Sequence, residues 1–167
     1  MPEFRSDSYC GLYCGACDIL VAYKKGIETG TSPEWSGMPS EFSKLPLAFT
    51  NAEIKCHGCK SDIVFVGCSK CIIRRCAIKK TGIETCLDCR RYPCWRHKMT
   101  AVFKRLFKVE EKLPHQKAIR PNLEAIRNKG LSVWLEEQGQ KWQCQHCGKR
   151  LSWYNASCND CSAQTKE

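Results

Sequence analysis

Cysteine spacing constrains this chain more than any other feature. Fifteen of its 167 residues are cysteine, an odd number, and most of them sit in Cys-x-x-Cys pairs. Two cysteines that close in sequence make a poor disulfide staple, because the loop they close restrains little of the unfolded chain. They make a good chelate, because two thiolates on one tight turn can both reach a single ion. The opening residues, MPEFRSDSYCGLYCGAC, lack a basic stretch followed by an apolar one. No run approaches the roughly 18 apolar residues of a membrane span. The expectation is a cytoplasmic metal-binding protein with no membrane partner, rather than a secreted disulfide scaffold.

A chain of this length makes one compact domain of mixed parts or two small ones, and much of its folding energy is expected from metal. Lys and Arg number 27 against 17 Asp and Glu, a net charge of +10. Residues 70–130 alone carry 17 basic and 5 acidic residues, a balance of +12. Such a block is either a footprint for nucleic acid or a solvated face beside anionic thiolates.

The fold class read from the sequence is a small metal-stabilised α plus irregular protein in three parts. Residues 1–97 form a cysteine-rich metal-binding region, 98–141 a helical segment, and 142–167 a C-terminal β zinc ribbon. Within the first part, Ile19, Leu20, Tyr23 and Ile27 recur at helical spacing and Gly30 is a natural stop. Residues 31–55, with Pro33, Gly37, Pro39 and Pro46, predict a loop around one or two short helical turns. A short helix is expected near 72–80. Val102, Phe103, Leu106 and Phe107 share one face of a helix over 98–113. A helical hairpin follows over 114–128 and 131–140, broken at Gly130, with Leu123, Ile126, Leu131, Val133, Trp134 and Leu135 as its packed positions.

The C-terminal unit reads Cys144-Gln-His-Cys147-Gly148-Lys149, then Cys158-Asn-Asp-Cys161, with ten residues between the two pairs. Two such pairs across a short hairpin supply four thiolates for one tetrahedral zinc ion, the pattern of the zinc ribbon class. Leu151 and Trp153 are expected to alternate along a strand, with Asn155 in the turn. His146 is expected exposed rather than ligating.

The other eleven cysteines are all candidate metal ligands: Cys10, Cys14, Cys17, Cys56, Cys59, Cys68, Cys71, Cys76, Cys86, Cys89 and Cys94. Cys68-x2-Cys71-x4-Cys76 and Cys86-x2-Cys89-x4-Cys94 share one spacing, 18 residues apart, which suggests two similar turns of three sulfurs each. Eleven thiolates fill two four-sulfur sites and leave three, a remainder that His57, His97, water or substrate would complete. Spacing leaves their grouping open, and both zinc and a [4Fe-4S] cluster accept four thiolates. Cys10-x3-Cys14-x2-Cys17 matches the cluster motif of radical S-adenosylmethionine enzymes, but the chain is too short for the barrel those enzymes need.

Cys10-Gly11-Leu12-Tyr13-Cys14-Gly15-Ala16-Cys17, Cys56-x-Gly58-Cys59, Cys71-x-Ile73-x-x-Cys76 and Cys86-x-x-Cys89-x-x-Tyr92-Pro93-Cys94 together resemble an uncharacterised cysteine-rich family. It occurs mainly in bacteria and archaea, many of them anaerobic, and is catalogued as a domain of unknown function. The resemblance covers residues 10–97. The tail, with Ile126-Arg127, Gly130, Trp134-Leu135 and Trp142 before the terminal cysteine pairs, also looks like family members. The resemblance implies a prokaryotic setting and no activity, and His57 and His97 lie outside its motif.

Three functions fit these residues. A metal-stabilised binding module would meet nucleic acid or protein through the 70–130 block, where Arg74, Arg75, Lys79, Lys80, Arg90, Arg91, Arg96 and Lys98 interleave with Tyr92 and Trp95. The alternative is an iron–sulfur redox or electron-transfer protein, with the Cys10–Cys17 turn held as thiolate at a helix N-terminus. A catalytic site of three thiolates and an open position would find its nearest bases at Asp18, Glu53 or Asp62, each expected at the surface. No phosphate loop, nucleophile elbow or His-Glu-x-x-His segment is present, so no catalytic motif supports an enzyme.

Overall fold

The computed structural model describes residues 3–35, 52–155 and 157–164. Most of the expected loop at 31–55 lies outside the described residues. Helix α1, Asp18–Thr29, follows a 3-10 turn at Cys14–Ala16, buries Ile19 and Leu20, and ends on Gly30 in the left-handed conformation. Two short helices follow, α2 at Val66–Ser69 and α3 at Ile72–Ala77, the latter where a short helix was expected. Helix α4 spans Trp95–Leu106 and α5 spans Val109–Lys112. The helical hairpin is α6, Ile119–Lys129, and α7, Leu131–Lys141, with Gly130 between them. Residues 114–118 form a 3-10 turn ahead of α6 rather than its first turn.

The main core forms where the hairpin closes on the first cysteine turn. Tyr13, Ala16, Ile126 and Trp134 are buried together, with Leu135, Trp142 and Trp153 packed around them. Tyr13 and Trp134 meet edge to face, ring centroids 6.0 Å apart. Gly11 lets the chain lie directly on α6: its φ is 88°, its carbonyl accepts from Asn122 Nδ2 at 2.8 Å, and a Cβ there would sit 2.8 Å from Leu123 Cγ. Of the packed positions expected in the hairpin, Leu123, Ile126 and Trp134 are buried, whereas Val133 is 48% exposed. A second, smaller core joins Ile19, Cys56 and Phe65.

Helix α4 is amphipathic in the reverse sense. Met99, Val102, Phe103 and Leu106 are each more than half exposed, while the half-buried stripe is His97, Thr100 and Lys104. The apolar spacing that predicts the helix is real, but that face points to solvent and the polar face borders the rest of the protein.

The C-terminal β zinc ribbon is not formed: no strand is present among the described residues. Pairing after Trp142 reduces to two isolated bridges, Gln143 with Arg150 and Ser157 with Gln164, one closing each cysteine loop. Leu151 and Trp153 do not run as a strand, because this segment is engaged elsewhere. The Trp153 amide donates to Ala16 O at 3.0 Å, and its ring stacks on His115 at 4.2 Å with planes 9° apart. Pairing across the loop goes as far as Leu151 N–H to Trp142 O at 2.9 Å and is not continued at Trp153, whose amide is taken by the N-terminal turn. Among the described residues, no helix is long and apolar enough to cross a membrane.

Candidate functional site

The two C-terminal cysteine loops are copies of one another. In the first, Cys144 N–H donates to Lys149 O and Gly148 N–H donates to Cys144 O, both at 2.8 Å. In the second, Cys158 N–H donates to Ala163 O at 2.8 Å and Ser162 N–H donates to Cys158 O at 2.9 Å. The fourth position past each leading cysteine has positive φ, 70° at Gly148 and 58° at Ser162. These loops bring Cys144, Cys147, Cys158 and Cys161 together, with all four sulfurs within 4.8 Å of one another. Cys144 and Cys161 are 3.6 Å apart and Cys147 and Cys158 are 3.5 Å apart. A tetrahedron with metal–sulfur bonds of about 2.3 Å has sulfur–sulfur edges of about 3.8 Å, so this group has the dimensions to hold one metal ion. The amides of Cys147 and His146 point at Cys144 and lower its thiol to about 6, which favours the ligating thiolate. His146 is exposed and is not part of the group.

The remaining eleven cysteines fall into two neighbourhoods, and none of the chain's thiols is in a disulfide. Cys10, Cys14, Cys17, Cys56, Cys59, Cys68 and Cys71 crowd together. Burial raises Cys68, and Cys17, Cys56, Cys59 and Cys71 add to the effect. Burial pushes Cys59 up to about 12, with Cys10 and Cys71 contributing. Cys17 also rises to about 12, because burial outweighs the Leu20 and Ile19 amides at the start of α1. The expected helix-end thiolate is therefore not favoured without a cation. Cys76, Cys86, Cys89 and Cys94 line a separate small cavity. The two neighbourhoods adjoin at Cys86, whose amide donates to Tyr9 O at 2.8 Å and whose thiol is raised by burial and then by Cys10, ahead of Cys94, Cys76 and Cys89. Cys76, the last cysteine of the first triplet, thus lines the same cavity as the second triplet.

Other sequence candidates have other work. His57 is held between aromatic rings, its centroid 5.0 Å from Phe4 and 5.7 Å from Tyr23. Asp18 is buried rather than at the surface, and burial lifts its carboxyl to about 6, against the opposing effect of Ser152. Glu53 and Asp62 are exposed.

A family model described as Protein of unknown function (DUF3795) matches residues 6–99, more than half of the chain. The chain belongs to this family. No curated protein and no solved structure matches it. The four-cysteine group at 144–161 lies beyond the matched DUF3795 segment, and the other eleven cysteines lie inside it.

Where the DUF3795 segment meets the helices beyond it, α4, α5 and α6 border a groove of about 960 Å³. Its lining includes Lys98, Lys104, Arg105, Lys108, Lys117, Arg120 and Arg127 against Glu110, Glu111 and Glu124. Tyr92 lies on its wall, edge-on to His97 at 4.9 Å. Of the eight basic residues that sequence spacing singles out, only Lys98 lines this groove. Arg74 is buried and donates to Cys59 O at 2.8 Å and Ser61 O at 2.7 Å. Lys80 reaches Cys89 Sγ at 3.0 Å, and the Arg96 guanidinium lies 4.5 Å from the Trp95 ring centroid. The groove cations were visible in the charge count of 70–130 but not individually, because they come from α4, α6 and the turns between them, whose relative placement the sequence does not state.

Proposed function

We propose that this protein is a metal-stabilised binding module for single-stranded nucleic acid, with zinc at Cys144, Cys147, Cys158 and Cys161 as a structural ion. The observation that carries the reading is the groove: seven Lys and Arg against three Glu on one concave surface of about 960 Å³. A cationic groove follows a phosphate backbone without needing base contacts, and an aromatic ring on its wall offers a stacking surface. Tyr92 supplies that ring, and Trp95, 60% exposed, lies three residues on. Four thiolates on one ion leave no open position for substrate, so the C-terminal site is read as a support rather than a reaction centre.

The reading is tested with a fluorescent single-stranded oligonucleotide and paired charge reversals. Lys117→Glu with Arg120→Glu, both in the groove, weakens binding by about tenfold or more. Arg75→Glu, an exposed cation outside the groove, leaves binding within about twofold. Equal losses in both variants would assign the affinity to net charge and not to the groove. No binding by the unmutated chain at low salt would remove the nucleic-acid reading altogether.

A further inference from the structure

We propose that Cys76, Cys86, Cys89 and Cys94 form a second metal site of their own, built for a single divalent ion of the zinc class. The four residues come from four different positions in the fold. Cys76 is in the last turn of α3, Cys86 opens a 3-10 turn, Cys89 closes that turn, and Cys94 caps the start of α4. All four nevertheless line the same cavity, whose other walls include Ile73, Ala77 and Ile83. The grouping is three plus one: the second triplet takes Cys76 from the first, leaving Cys68 and Cys71 with the seven-thiol neighbourhood.

The turn between Cys86 and Cys89 is fastened as a chelating loop requires. Thr85 accepts from the Leu87 amide at 3.2 Å, and Asp88 accepts from the Thr85 amide at 2.6 Å. The Cys89 amide donates back to Cys86 O at 3.2 Å, and the Tyr92 amide to Cys89 O at 2.8 Å. Two sulfurs are thus fixed by backbone, and those of Cys76 and Cys94 arrive from two helix ends. The sulfurs are more widely spread than at the C-terminal site, so binding draws them inward by side-chain rotation.

Size and charge select the occupant. The cavity of about 20 Å³ has room for one or two water-sized spheres, a volume on the scale of a single ion. Four thiolates around a divalent ion carry two net negative charges. Two cations line the same cavity, Lys80 with its ammonium 3.0 Å from Cys89 Sγ, and Arg96. Ligation by four thiolates alone suits zinc by ligand softness and geometry. His97 also lines the cavity and is not needed to complete the set.

The test is metal analysis of the full chain, purified reduced and loaded with zinc. Cys76→Ser and Cys94→Ser each lower the zinc content by one equivalent, and the double variant also lowers it by one, because both serve one ion. A double variant that loses two equivalents overturns the shared site, as does His97→Ala losing one. Should the substitutions impair folding, the unmutated chain is titrated with chelator while free thiols are alkylated and mapped by mass spectrometry. The four named cysteines become reactive in one step. Release of Cys76 in a different step from Cys86, Cys89 and Cys94 refutes the grouping, and iron with acid-labile sulfide bound at these four refutes the single ion.

Discussion

Arg74 separates two readings of the basic block, as a surface for nucleic acid or as part of the structure. Its side chain is buried against the Cys56–Cys59 loop, with Nε donating to Cys59 O at 2.8 Å and Nη2 to Ser61 O at 2.7 Å. Hydrogen bonds from a charged donor contribute about 1.5–3 kcal/mol each, and the two carbonyls left behind would regain only part of that from water. Arg74→Ala is therefore expected to cost about 3–4 kcal/mol. Its positive charge also opposes the burial that raises Cys59, so its loss makes that thiol harder to ionise. Arg74→Lys recovers less than half of the loss, because an ammonium cannot span two carbonyls as a guanidinium fork does. The assay is urea unfolding followed by tryptophan fluorescence, with oligonucleotide affinity measured on the folded variant. A change under about 0.5 kcal/mol, within the range of ordinary surface substitutions, together with a tenfold loss of oligonucleotide affinity would refute the reasoning and return Arg74 to the binding surface.

Three further outcomes follow from single positions. Ser162 occupies the left-handed position that Gly148 fills in the matching loop, so Ser162→Gly is expected to stabilise the C-terminal site by about 0.5–1 kcal/mol, read as a higher urea midpoint; a lower midpoint would contradict this. His115 is held against Trp153 with Tyr154 Oη 2.5 Å from its Nδ1, and burial lowers it to about 4, with Lys104 adding to the effect. Between about pH 6.5 and 4 the unfolded chain takes up a proton that the folded chain refuses, so stability falls as pH falls. From pH 7 to 5.5 the unmutated chain should lose about 1 kcal/mol more than His115→Gln, and parallel curves for the two would contradict the buried neutral imidazole. Lys60 is buried in ion pairs with Asp7 and with Glu84 at 2.8 Å, so Lys60→Met, which leaves the buried Asp7 with Arg5 alone at 3.5 Å, is expected to cost about 2 kcal/mol in the same urea assay. No change would mean that Arg5 alone compensates Asp7.

Local pattern was legible in the sequence, and assembly was not. The helices at 18–29, 72–77 and 119–141 follow from apolar spacing and from Gly30 and Gly130, which are local signals. The four C-terminal cysteines follow from two paired spacings and one connecting length. The strands expected between them failed because Trp153 is claimed by Ala16 and His115, more than 30 residues away in each case. Helix α4 was legible from its apolar face, but the sequence did not say that this face points to solvent. The triplet repeat left the grouping open for a related reason: equal spacing fixes what each turn can offer, while tertiary contacts decide which turns share a cavity. Arg74 was read as a surface cation because nothing in sequence distinguishes an exposed arginine from one that seals a cysteine loop.

The central claim, that a cationic groove on a metal-held scaffold binds single-stranded nucleic acid, is tested most directly by the salt dependence of oligonucleotide affinity. Each phosphate neutralised contributes about −0.7 to the slope of log affinity against log salt. Engagement of most of the seven groove cations predicts a slope between about −3 and −5 for the unmutated chain. The slope should become shallower by roughly 1.4 when Lys117 and Arg120 are both neutralised to Gln. A slope near zero, or one unchanged by the double substitution, would contradict the account.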